Sequence, residues 1–353
     1  MKQMLTMTIN GREVTFQQGK TVLEVCQDEE IYIPTMCHDP RLKPYGGCRL
    51  CIVEVAGAAK PLTSCTTPAA QGMVVTTESP KLTRLRKTII ELLLSNHPND
   101  CMTCEATGKC DLQDMAYLYG ATEQRFAGEK WNLPVKNDNP FITFEPNKCI
   151  VCGRCTRICN EVVMAGTIDL TNRGFNVIPD TAFSKQRILE NCEFCGQCVS
   201  ACPTGALTDR KSRGLGRIND VKLVKTTCSY CGTGCNFFLK VKGQEIVGVE
   251  SDFDAPVNQG NLCVKGRYGY DFVNSPERIK TPLIKEGDGF REATWDEALT
   301  LVATKFNELI KTHGPEKVGG FSSSRCTNEE NYLLAKWVRT AVGSNNVDNC
   351  ARV

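Results

Sequence analysis

Histidine is nearly missing from this sequence, with three in 353 residues. Metal centres built mainly from imidazole are therefore excluded. Charge of one sign is missing too. Forty-two lysines and arginines face forty aspartates and glutamates for a net +2, which removes the electrostatic case for nucleic acid or an anionic membrane as a partner. No long apolar run occurs: the stretch from Ile89 to Leu94 is broken by Glu91 and is too short to span a bilayer. The opening "MKQMLTMTINGREV" has neither an apolar signal core nor twin arginines, so the chain reads as cytoplasmic. No G-x-G-x-x-G follows a predicted strand, and "GLGRIND" is too short with no strand before it. A nicotinamide cofactor, if one is used, must then be bound by a separate subunit.

What remains is an ordinary globular composition, 41% apolar and 23% charged, long enough for two to four domains. The exception is cysteine, of which there are 22. In a chain without a secretion signal that number points to metal binding rather than disulfides.

Alternating residues 4–9 and 12–16 around Asn10-Gly11 predict a hairpin. "GKTVLEVCQDEE" predicts a short helix, and "CIVEVAG" and "GMVVTTES" two more strands. A small mixed sheet crossed by one helix is expected for residues 1–78. Ser79-Pro80 opens a helix that runs to His97-Pro98, with Leu82, Leu85, Ile89 and Leu92 at helical spacing. "WNLPVKNDNP" reads as a linker that closes a second region, 79–140. Residues 141–215 hold two similar cysteine runs, an internal duplication. A fourth region begins near Val221. Within it Thr294 and Glu297, and again Thr327 and Glu330, spell capping boxes; "KVGGFSS" and a stretch from Asn346 read as strands. Strand, helix, strand at the end is the start of an α/β domain.

"CIVCGRCTRIC" and "CEFCGQCVSACP" each spell C-x2-C-x2-C-x3-C, the run of two-cluster ferredoxins, in which the fourth cysteine crosses to the other [4Fe-4S] cluster. Cys149, Cys152, Cys155 and Cys202 are expected to form one ligand set, and Cys192, Cys195, Cys198 and Cys159 the other. Paired zinc sites are the alternative. Cys37, Cys48, Cys51 and Cys65 follow the order of a plant-type [2Fe-2S] ferredoxin with a wider first gap, with Gly46 and Gly47 letting backbone amides approach sulfide; zinc is again the alternative. "HPNDCMTCEATGKC" supplies His97, Cys101, Cys104 and Cys110, ambiguous alone: a zinc site or a cluster, or, for His97, a histidine that only satisfies carbonyls at a helix end. Cys228, Cys231, Cys235 and Cys263 make a fourth motif, "CSYCGTGC" with "GNLCVKG", which could hold zinc or a [4Fe-4S] cluster. Cys26, Cys326 and Cys350 are left as small apolar residues expected to be buried.

Taken together, residues 1–215 resemble the N-terminal region shared by the large iron-sulfur subunit of NADH dehydrogenases and by some hydrogenases and formate dehydrogenases. That resemblance implies an α+β multidomain protein: a β-grasp [2Fe-2S] domain, a helical [4Fe-4S] domain ligated by one histidine and three cysteines, and a double [4Fe-4S] ferredoxin domain. "CSYCGTGCNFFL", "GNLCVKGRYGYDFV", "RIKTPLIK" and "REATWDEAL" resemble the opening of a molybdopterin oxidoreductase domain, here 221–353. It implies a fourth [4Fe-4S] cluster on Cys228, Cys231, Cys235 and Cys263, and a lysine, Lys265, between that cluster and the pterin.

The final stretch "GFSSSRCTNEENYLLAKWVRTAVGSNNVDNCARV" most resembles formate dehydrogenases. The expected activity is formate/CO2 interconversion at molybdenum or tungsten held by two pterin guanine dinucleotides. Electrons would leave through five clusters to a flavin- and NAD-binding subunit, a ferredoxin or a hydrogenase subunit, in a hetero-oligomer. In that family the residue after C-A-R-V is the selenocysteine or cysteine on the metal, so the chain is expected to stop one residue short at Val353, as an unrecoded UGA would make it, and to lack formate activity as written. The rival readings are a non-catalytic electron-transfer subunit and a molybdopterin enzyme acting on another substrate such as nitrate.

Overall fold

The computed structural model describes residues 3–123, 125–181 and 191–352, and divides into two compact units, Met1–Val221 and Lys222–Val353. The expectation attached to Val353 lies outside the described residues. Among those residues no helix is long and apolar enough to cross a membrane.

In the first unit β1 (Met4–Ile9) and β2 (Arg12–Gln17) pair antiparallel about Asn10 and Gly11, at φ 52° and 83°. Two successive left-handed residues make the turn whose twist matches a hairpin. β3 (Ile52–Val55), β4 (Leu62–Thr63) and β5 (Val74–Thr76) complete a five-stranded sheet ordered β2-β1-β5-β3-β4, with β5 parallel to β1. Met7, Ile9, Val14 and Phe16 face inward by strict alternation and meet Val22, Leu23 and Val25 of α1 (Val22–Asp28). Thr21 and Glu24 cap α1 reciprocally.

α2 (Pro80–Asn96) starts on Ser79, whose hydroxyl accepts from the Leu82 amide, and ends at His97. Arg86 ties it to the sheet: its buried guanidinium donates to the carbonyls of Ile52 at 2.7 Å and Thr77 at 3.0 Å. α3 (Asp111–Leu118) packs Leu112 and Met115 against Ile90 of α2, together with Met36 and Leu50 from the loop that leads into β3.

The duplicated region is closed by β6 (Ile142–Phe144) pairing with a strand at Leu207–Asp209. Its two cysteine runs share their backbone in detail. Val151 and Phe194 occupy equivalent places with φ 52°, and Gly153 and Gly196 follow at 72° and 68°. A left-handed β-branched or bulky aromatic residue is a genuine outlier. Each outlier aims its amide at the preceding cysteine, Val151 N–H to Cys149 Sγ at 3.3 Å and Phe194 N–H to Cys192 Sγ at 3.4 Å.

The second unit opens with an antiparallel meander, Lys222–Thr227, Asn236–Lys242 and Glu245–Ser251. A hairpin (Leu283–Glu286, Gly289–Glu292) leads to a helix at Trp295–His313. Thr294 caps it, but Glu297 bonds Arg291 instead of reaching back, so this capping box is half formed. Strand Gly320–Ser322 pairs parallel with Val347–Asn349 across a helix at Asn328–Trp337, which has the full Thr327/Glu330 box. That helix widens into a π turn over Val338–Val342 before Gly343 stops it at φ 76°. Trp295, Leu299, Phe321, Tyr332 and Leu333 are all exposed.

Candidate metal centres

Cys37, Cys48 and Cys51 sit on the loop leading into β3, and Cys65 follows β4, so the sheet edge carries all four. The Cys48 amide donates to Cys37 Sγ at 3.4 Å, and the sulfurs of Cys51 and Cys65 lie 3.3 Å apart. Hydrogen bonding within each pair divides the thiols. Cys48 is pulled down to about 5 and Cys51 to about 7, while Cys37 and Cys65 are pushed up by the same contacts and by burial. Thiolate is the ligating form. Gly47 has a reason the sequence did not show: a Cβ there would fall 2.4 Å from the Tyr45 ring.

His97, at the end of α2, is buried, and burial lowers its pKa and keeps it neutral. Its Nδ1 contacts Asn99, with the amide at 3.1 Å and Oδ1 at 3.3 Å, whereas Nε2 is buried with no hydrogen-bond partner. A buried, orphaned Nε2 suits a metal ligand when the imidazole proton sits on Nδ1 and is donated to Asn99 Oδ1; Cys104 and Cys110 are buried as well. Cys101 stands partly exposed on the intervening loop, its carbonyl accepting from the Thr107 hydroxyl. Packing here is close: a Cβ on Gly205 would sit 2.5 Å from Cys104 Sγ.

The ferredoxin-like runs enclose two cavities. One, with about 310 Å³ of empty space, is lined by Cys149, Cys152, Cys155 and Cys202. The other, with about 850 Å³ including its open mouth, is lined by Cys159, Cys192, Cys195 and Cys198. Each cavity thus gathers three cysteines of one run and the fourth of the other. Burial pushes Cys149 and Cys152 up to about 12, and Cys155 and Cys198 well above the ordinary thiol range.

In the second unit Cys228, Cys231 and Cys235 lie on the turn between the first two meander strands, and the Cys228 amide donates to the Cys235 carbonyl at 2.8 Å. Cys263 precedes a helix at Val264–Tyr268 whose Lys265 bears electrostatically on Cys228 and Cys231 and lines a hollow with Cys228, Tyr230 and Phe272. Of the three leftover cysteines Cys26 is buried, Cys326 half-buried and Cys350 exposed. Cys350 departs from the expected core role because Ser323, Ser324 and the Ser324 amide hydrogen-bond its sulfur and pull its pKa to about 7.

Among the described residues no three or more histidine, cysteine or acidic side chains close on one metal-ion position. A polynuclear cluster spreads its thiolates over several irons, and cysteines set around a cavity meet that need without converging on a point.

The sequence profile of the Molybdopterin oxidoreductase Fe4S4 domain matches residues 221–275 and that of Molybdopterin oxidoreductase matches 278–353. Ahead of them come a 2Fe-2S iron-sulfur cluster binding domain (2–80), the NADH-ubiquinone oxidoreductase-G iron-sulfur binding region (86–125) and the ferredoxin-like domain of NADH-quinone oxidoreductase subunit 3 (139–208). The chain belongs to the molybdopterin oxidoreductases, with NADH-quinone oxidoreductase G-like iron-sulfur domains ahead. It is 39% identical over 350 residues to the NADPH-Fe(3+) oxidoreductase subunit alpha of Geobacter sulfurreducens, covering 99% of this chain and 40% of that one. A Staphylococcus aureus protein provisionally named formate dehydrogenase is 30% identical, covering 100% of this chain and 39% of that one. The chain therefore spans about 40% of the length of these curated relatives. A chain of an NAD+-reducing [NiFe]-hydrogenase structure matches with TM-score 0.53 and 30% identity, covering 61% of this chain and 91% of the hydrogenase chain.

Proposed function

We propose that this chain is the electron-relay part of a formate dehydrogenase, with a [2Fe-2S] cluster on Cys37, Cys48, Cys51 and Cys65 and [4Fe-4S] clusters on four further sets. These sets are His97, Cys101, Cys104 and Cys110; Cys149, Cys152, Cys155 and Cys202; Cys192, Cys195, Cys198 and Cys159; and Cys228, Cys231, Cys235 and Cys263. The observation that carries the relay is the pair of cavities, each bordered by three cysteines of one run and one of the other. The orphaned Nε2 of His97 supports the mixed-ligand site.

When bound, the clusters supply one-electron chemistry; the chain's own residues fix their potentials through ligand type, burial and amide-to-sulfur hydrogen bonds. Val151 and Phe194 provide such amides. Lys265 would hold the pterin side of the Cys228 centre and favour electrons arriving there. Formate as the substrate rests on the resemblance of residues 320–353 and on the Staphylococcus aureus relative. A Mo or W bis-pterin centre, and partner subunits that accept the electrons, complete the proposal.

A second reading, electron exchange with NADPH and ferric iron through partner subunits, is favoured by the higher identity to the Geobacter sulfurreducens protein. The test is to purify, anaerobically and with its native partners, the longer protein to which the proposal assigns this chain, and to assay formate with a viologen acceptor beside NADPH with ferric citrate. Formate turnover with reduction of the clusters supports the first reading. Cluster reduction by NADPH alone, with formate inert, supports the second and refutes the first.

A further inference from the structure

Among the described residues of the first unit, Lys148 is the one lysine whose side chain is almost wholly buried, at 4% exposure. It stands immediately before Cys149, and its carbonyl accepts from the Thr204 hydroxyl at 2.9 Å, two residues beyond Cys202. Its backbone is thus tied to Thr204, which lines one cysteine cavity. The side chain runs the other way. Its Cδ and Cys104 Sγ both border Gly205, and its charge bears on Cys104 and His97. A second strap joins the same two sites, since Cys110 Sγ donates to the carbonyl of Pro203 at 3.7 Å and the Asp111 amide to that carbonyl at 2.9 Å.

We propose that Lys148 is a positioning residue shared by these two sites, whose buried ammonium raises the reduction potential of the centre on His97, Cys101, Cys104 and Cys110. The proposal rests on the ligand assignment above. Reduction adds one negative charge to a cluster, and a fixed cation in low-dielectric surroundings stabilises that added charge far more than an exposed one would. Two carboxylates face the ammonium, Asp100 at 3.2 Å and Glu145 at 2.9 Å. Glu145 is also paired with Arg213 at 3.1 Å, which draws off part of its charge, and Arg213 lies 3.9 Å from Glu105. Asp100 is 39% exposed, with one carboxylate oxygen buried and its charge also bearing on His97. Asp100 therefore opposes Lys148 on the His97 side, while the ammonium acts directly on Cys104. An uncompensated buried ammonium would be costly, so the carboxylates keep it charged in place while leaving its inner side to the cluster.

The test is a redox titration, followed by electron paramagnetic resonance, of the whole chain assembled anaerobically with iron and sulfide. The relevant signal is the one that His97→Ala abolishes. Lys148→Gln is expected to shift its midpoint to lower potential and Lys148→Arg to restore it. Asp100→Asn, which keeps the lysine and removes an anion, is expected to shift it upward, and this variant decides the matter should Lys148→Gln not assemble the centre. Unchanged midpoints in Lys148→Gln or Asp100→Asn with the iron in place would overturn the proposal. Absence of any His97-dependent signal in the wild-type chain would instead overturn the ligand assignment beneath it.

Discussion

Replacing Cys202 with alanine separates crossed from local ligation. If each run held its own cluster, the variant would lose the centre on Cys192, Cys195 and Cys198, its sequence neighbours. The cavity walls predict the opposite, because Cys202 lines the space shared with Cys149, Cys152 and Cys155. On the proposed assignment, one two-iron and four four-iron clusters make about 18 irons per chain, so Cys202→Ala should fall to about 14. Cys159→Ala should fall by the same amount but empty the other cavity. Iron analysis gives the count, and resonance spectra of the reduced protein show which signal has gone. An emptied cavity also has a pH signature. Burial raises Cys149 and Cys152 from 9.0 to about 12, roughly 4 kcal/mol each against ionisation. Because the folded values lie above the unfolded ones, this stabilisation is complete below pH 9 and is lost as pH rises toward 12. Cluster-stripped protein should therefore lose denaturant resistance as pH rises from about 9 toward 12, and loaded protein much less. Survival of the Cys149 signal in Cys202→Ala, with loss of the Cys192 signal, would refute the crossed arrangement.

Gly205→Ala pushes a methyl into Cys104 Sγ, and we expect it to abolish the His97-dependent signal while leaving that of the [2Fe-2S] site intact. His97→Cys should keep the iron count but lower that centre's potential, since thiolate donates more charge than imidazole; a redox titration reads the shift. Arg86→Met strands the carbonyls of Ile52 and Thr77, and thermal or urea unfolding of the loaded chain should show a loss of about 2–5 kcal/mol. A change under 0.5 kcal/mol would mean that the guanidinium does not anchor α2.

Where a short sequence pattern determines a local geometry, the sequence was readable. Asn10-Gly11 takes the two left-handed conformations its residue types allow, and Ser79-Pro80 starts α2 where a hydroxyl cap and a proline with no amide to satisfy would start it. Glu297 shows the limit of such patterns, because Arg291 competes for its carboxylate. Cys350 shows another: a residue type that favours burial sits exposed because a serine-rich loop supplies hydrogen bonds to its sulfur. The two C-x2-C-x2-C-x3-C runs were legible from spacing, and each cavity is lined by three cysteines of one run and one of the other. Lys148, Asn99 and Gly205 were not, since their roles depend on which loop lies opposite, and one lysine before one cysteine carries no such signal. The outliers at Val151 and Phe194 were equally hidden, as neither residue type favours φ above zero.

Those outliers bear on how the two cavities came to be alike. Left-handed backbone at Val151 and at Phe194 costs of order 1–3 kcal/mol apiece, and different side chains carry it, so side-chain preference does not explain its recurrence. What recurs is the amide aimed at the first sulfur of each run. An amide-to-sulfur hydrogen bond stabilises thiolate over thiol, and in a buried cavity it opposes the desolvation that pushes the same sulfur up. In Cys149 and Cys192 burial still outweighs it, so an empty cavity keeps its protons and the strain goes largely uncompensated. A cluster that holds the sulfur as thiolate makes the same amide fully favourable. The strain is therefore best understood as a feature of the loaded state, carried by the chain before any iron arrives.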